Sequence, residues 1–144
     1  MQRMFDFLSN NGPWDQLIKL QNITLEKIQN ELTIKLNSRI SITPILVPHR
    51  DEYSETVCYL VSTMKKKLLY IPDIDKWHLW DKDIKEMIKI VDYALLDGTF
   101  YQDGELSRDM SKIPHPFVKE SMILFKDLSK QNKQKVFFTH LNHT

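Results

Sequence analysis

Four apolar runs in this sequence each end in a group able to hold a metal ion. His49 follows "ITPILVP", Asp73 follows "KLLYIP", Asp97 follows "DYALL" and His140 follows "KVFFT". Imidazoles and carboxylates gathered at one edge are suitable ligands for Zn, Mn or Fe. A buried carboxylate without a partner is costly, so acids at the ends of core strands are normally paired, hydrogen-bonded or on a metal. His115, in "IPHPF", stands between two prolines just before a helical pattern, a rigid position from which an imidazole can act as general acid.

Each position has a plainer reading. Asp at a strand end is often a turn former or helix N-cap, as Asp73 in "PDIDKW" would be, and His140 alone could be a satisfied core histidine. His115 could simply be an N-terminal helix residue held by its prolines. Trp77 and Trp80 in "DKWHLWD" pack a following helix more readily than they wall a pocket, with His78 between them on the surface. The four strand ends taken together favour a site.

The elements that must deliver these groups are legible as patterns. Residues 1 to 11 read as a short helix stopped at "NNG", and "PWDQLIKL" as a second. "LTIKL" and "ISITPILVP" suggest two paired strands, and "ETVCYLVST" with "KLLYIPD" a hairpin whose "MKKK" solvates the bend. "DKDIKEMIKIV" has helical spacing, and "DYALLD" is a buried strand. From Gly98 to Pro114 little periodicity remains, and loops of this length tend to be functional or disordered. "PFVKESMILFKDLSK" reads as one amphipathic helix and "KVFFTHL" as the final buried strand. These predict a single α/β unit with a mixed β-sheet flanked by helices. In such sheets ligands bind at the carboxyl ends of the strands, where the four groups fall.

Bulk properties exclude other classes. The 144 residues suffice for one domain, and 42% hydrophobic with 27% charged is a globular, soluble composition. Twenty Lys and Arg against nineteen Asp and Glu leave a net charge of +1, so no broad footprint for nucleic acid or an anionic membrane exists. Cys58 is the one cysteine and lies inside a strand pattern, so it reads as a small core residue. No run is long and apolar enough to span a bilayer, and no secretory signal is visible. A cytoplasmic protein is the default expectation, with a periplasmic or secreted one left open. Oligomeric state is not readable.

"VPHRDEYSETV", "LLYIPDIDKW", "LLDGTFYQDGEL", "RDMSKIPHPF" and "FTHLNHT", taken as an ordered set from about residue 5 to the end, resemble the C-terminal half of a metallo-β-lactamase-fold protein. The branch is the one similar to coenzyme PQQ synthesis protein B. The resemblance implies half of an αββα sandwich with a divalent metal site, one or two ions and Zn before Fe or Mn, on one edge. By position His49, Asp73 and His140 match metal ligands, with Asp73 bridging. His115 matches a catalytic general acid, while Asp97 and His143 match supporting residues behind the metal. The HxHxDH cluster of the family is not in these 144 residues, so residues 1–144 are expected to be one partial domain, cut at both ends and inactive alone. Asp73, and His rather than Asn at 143, depart from the proteins that serve PQQ synthesis. The implied activity is metal-dependent hydrolysis of an ester or phosphodiester-type bond in a small molecule. Two alternatives are an iron-dependent oxidative enzyme of PQQ biosynthesis and a domain that has lost its site and serves binding or structure.

Overall fold

A computed structural model describes residues 2–52 and 54–142. Two short helices, α1 (Gln2–Ser9) and α2 (Trp14–Lys19), open the chain and pack on each other without burying a residue. Six strands then form one sheet in chain order: β1 (Ile34–Lys35), β2 (Ile40–Val47), β3 (Thr56–Thr63), β4 (Lys67–Ile71), β5 (Tyr93–Asp97) and β6 (Val136–Thr139). Helix α3 (Ile84–Lys89) lies between β4 and β5, while α4 (Val118–Leu124) and α5 (Lys130–Lys133) lie between β5 and β6. A single 3-10 turn, Trp77–Leu79, follows β4.

The pairing directions place the chemistry. β1 to β4 are antiparallel neighbours, and β5 and β6 add parallel to β4. Two reversals return β4 to the direction of β2, so β2, β4, β5 and β6 all run the same way. Their carboxyl ends, Val47, Ile71, Asp97 and Thr139, therefore share one edge of the sheet.

Strand alternation puts Ile45, Val47, Cys58, Leu69, Ile71, Ala94 and Leu96 on one face, buried with Ile84 and Ile88 of α3 and with Phe125 and Leu128. On the other face Leu46, Tyr70, Tyr93 and Phe137 are exposed. Trp77 and Trp80 belong to the covered side. Trp77 donates to Ser121 Oγ at 2.8 Å, Trp80 donates to the Leu46 carbonyl at 2.8 Å, and His78 is exposed.

Two elements differ from their sequence patterns. The amphipathic stretch after Pro116 is not one helix, because α4 stops at Leu124. Lys126 and Leu128 then bond only three residues back, and Ser129 caps the separate α5 through Asn132 N–H. Val118, Ser121, Phe125 and Leu128 keep helical spacing across the break, which hides it from a periodicity reading. Strand β6 is the last of the sheet rather than an interior strand, and Phe137 on its outer side is half exposed.

Candidate metal centre

The bend after β2 carries His49. Its carbonyl accepts from Thr56 Oγ1 at 2.8 Å, and the preceding Pro48 carbonyl accepts from Asp75 N–H at 2.7 Å. That second bond stitches the segment after β4 to the end of β2. It sets Asp73 and Asp75, two residues apart, against one imidazole. His49 Nδ1 lies 3.0 Å from Asp75 Oδ1, and His49 Nε2 lies 3.2 Å from Asp73 Oδ1.

His115 reaches the same place by a different route. Pro116 is fully buried, and α4 is anchored to the loop after β5 by Val118 N–H on the Phe100 carbonyl and Lys119 N–H on that of Tyr101. Glu120 accepts from Phe117 N–H at 2.9 Å and pairs with Lys76 at 2.7 Å, tying the start of α4 to the Asp73–Asp75 segment. The two imidazole rings stand 5.2 Å apart between centroids. His115 Nδ1 lies 2.8 Å from Asp97 Oδ2 and 3.4 Å from Asp73 Oδ1.

Asp97 is fully buried and fully engaged. Its carboxylate accepts from Ile74 N–H, from the N–H and hydroxyl of Thr99, and from His115. Gly98 is required beside it, since a Cβ there would come within 2.9 Å of Phe138 Cβ and 3.0 Å of the Thr139 carbonyl oxygen. Burial by itself would push the His115 pKa down. The Asp97 hydrogen bond and the charges of Asp97, Asp73 and Asp75 outweigh it and hold the pKa above the ordinary 6.5.

Among the described residues, the group that can share one ion is His49, Asp73 and His115, whose ligand atoms all lie within 4.8 Å of one another. His140 shares the edge but not this group. It is exposed, has a left-handed φ of 58°, and places Nδ1 3.1 Å from Thr99 Oγ1, linking it through Thr99 to Asp97. His143 lies outside the described residues.

The donors fit a cation. Asp73 Oδ1 is sealed from solvent, sits near two imidazole nitrogens, and has no hydrogen-bond partner. With Asp75 beside Nδ1, His49 Nε2 faces that oxygen at 3.2 Å, an arrangement that either an Nε2 proton or a cation held between them would satisfy. In a tetrahedral site with ligands at about 2.0–2.1 Å, neighbouring donors stand roughly 3.4 Å apart, close to what is seen here. A carboxylate behind the imidazole, as Asp75 is behind His49, is the usual way a metal-binding histidine is oriented.

Asp75 and Thr99 were not singled out from sequence. A signal for Asp75 existed only in its closeness to Asp73, two residues along the same segment after β4. Thr99 had none.

Residues 2–141 match the beta-lactamase superfamily domain. No curated protein matches the chain. Among solved structures, Zn(2+)-bound PqqB from Methylobacterium extorquens is similar at 21% identity and a TM-score of 0.68, over 96% of this chain and 48% of that one. The metallo-beta-lactamase fold protein YhfI from Bacillus subtilis is similar at 15% identity and a TM-score of 0.56, over 89% of this chain and 49% of that one. The chain thus spans about half the length of either.

Proposed function

Because the chain belongs to the beta-lactamase superfamily, with the partial metallo-β-lactamase fold its motifs imply, we propose that it carries part of the active site of a metal-dependent hydrolase acting on a small-molecule ester or phosphodiester. The observation that carries this reading is the orphaned Asp73 Oδ1 between two imidazoles. A divalent metal there, with Zn the first choice, supplies a Lewis acid and lowers the pKa of a water.

The remaining roles belong to the chain. Asp73 and His49 Nε2 would hold the ion, and Asp75 would fix the His49 tautomer. By motif order His140 would be a further ligand, and with Nδ1 engaged by Thr99 it would have to serve through Nε2. His115 donates Nδ1–H to Asp97, which leaves Nε2–H to protonate the leaving group. Its raised pKa keeps that proton available near neutral pH. Phe100, edge-on to His115 with centroids 6.1 Å apart, walls the proton donor.

Because the HxHxDH cluster is not among these 144 residues, the test joins this chain to such a cluster and follows metal content and turnover of a 4-nitrophenyl ester and of bis(4-nitrophenyl) phosphate, with chelation and Zn²⁺ restoration. His115→Ala should depress turnover and leave bound metal nearly unchanged. Loss of metal in that variant would make His115 a ligand, and a metal-loaded protein that turns over neither substrate would reject the hydrolase.

A second reading rests on the donor set itself. His49, His115 and Asp73 are two histidines and one carboxylate, the set of non-haem Fe(II) oxygenases. An oxidative role in PQQ biosynthesis is the corresponding function. Bound iron with substrate-dependent oxygen uptake would select it over the hydrolase.

A further inference from the structure

Beside the metal centre lies an open cleft of about 530 Å³, and His115 belongs to both. The other walls include Arg50, Arg108 and Lys112, with Glu52 as the single acidic side chain. Three cations against one anion is a local excess in a chain whose net charge is only +1.

Nearby acids do little to neutralise it. Arg50 and Glu52 are 3.8 Å apart and both largely exposed, a loose pair. Glu105 accepts from Gln102 N–H and Asp109 from Ser111 N–H, so both are engaged in their own turns. Among the described residues, no ion pair involves Arg108 or Lys112. Single unpaired cations are ordinary on an open surface. What is unusual is their convergence on one concavity whose wall is the imidazole of the candidate centre. Arg50 also holds a left-handed backbone, φ 39°, directly after His49, a conformation that is strained in a residue with a Cβ.

We propose that this cleft binds an oxyanion, phosphate or carboxylate, carried by the substrate apart from the bond that is cut, with Arg50, Arg108 and Lys112 as its recognition residues. Guanidinium forks and an ammonium suit such a group, and together they hold the reacting bond beside His115. The assignment of the anion to a substrate rests on the hydrolase reading; the binding site does not.

The test keeps these apart. Inorganic phosphate and acetate are titrated separately into the metal-free chain at low salt, following backbone amide shifts of residues 50, 108 and 112. Saturable binding of at least one anion is expected, weakened by about tenfold in Arg108→Gln/Lys112→Gln and by added salt. Both side chains are exposed, so the fold should survive, and an unchanged thermal midpoint checks this. Phosphate binding alone identifies a phosphorylated substrate and acetate binding alone a carboxylated one, both in support. No binding of either, or binding untouched in the double variant, overturns the proposal. Anion binding without hydrolysis in the metal-loaded chain joined to an HxHxDH cluster overturns the hydrolase reading and leaves the oxyanion site standing.

Discussion

Two carboxylates leave the ends of neighbouring parallel strands in opposite conditions. Asp97, at the end of β5, is entirely out of water and accepts hydrogen bonds from Ile74, Thr99 and His115. Asp73, just beyond β4, is more exposed as a residue, yet one of its oxygens is sealed and has no donor. The difference is one of hydrogen-bond satisfaction. Every lone pair of Asp97 that matters is used inside the protein, so it holds other groups still. Asp73 keeps one sealed oxygen without a hydrogen bond, facing the imidazoles of His49 and His115.

The largest expected effect comes from breaking the satisfied member. Asp97→Ala leaves buried N–H donors and His115 without their acceptor, and should cost about 3–5 kcal/mol in urea unfolding. A loss below about 1 kcal/mol would mean that Asp97 is not the anchor described. Asp73→Asn should do the reverse, weakening Zn²⁺ binding by more than about 100-fold while moving the stability of the metal-free chain by no more than about 0.5 kcal/mol. Equal damage to folding from both variants would erase the contrast.

A smaller effect is expected one step back from the ion. Asp75→Asn should weaken metal binding by about 10–100-fold, since it frees the His49 ring without removing a ligand. Unaltered affinity would place the orienting hydrogen bond elsewhere. The mildest effect is on pH. Because His115 has a folded-state pKa above its unfolded value, its pairing with Asp97 contributes stability that is full below about 6.5 and is lost as pH rises through the folded-state value. An NMR titration of the metal-free chain should show a His115 midpoint above 6.5 that falls in Asp97→Asn; a midpoint below 6.5 would mean that burial wins.

Much of this contrast was visible before any coordinates. Strands that each deliver an ionisable group carry a signal because apolar runs have fixed length and a definite end. The β3–β4 hairpin was legible from its short Lys-rich turn, whereas the antiparallel pairing of β2 with β3 across residues 48–55, which sets β2 and β4 in one direction, was not. Nor was membership of the inner cluster. His115 joins His49 and Asp73 through a loop without periodicity, and the bonds that seat it, from Val118 to Phe100 and from Lys119 to Tyr101, follow no pattern in the letters. The break after α4 and the edge position of β6 were hidden for a related reason. Spacing reports which side of an element is apolar, and says nothing of where hydrogen bonding changes or which strand has a second neighbour.

The sheet order also has a kinetic meaning. His49, Asp73 and Asp75 are set by the β2–β3–β4 meander, whose turns close short loops and whose pairings are local. Asp97, His115 and His140 depend on parallel crossovers that must close much longer loops before any pairing rewards them. One half of the centre should therefore form early and the other late. Conservative truncations in the meander, such as Leu69→Val, should mainly slow folding, while truncations in β6, such as Phe138→Leu, should mainly hasten unfolding. A metal ion added during refolding would then meet His49 and Asp73 already in place before His115 and Asp97 close around them.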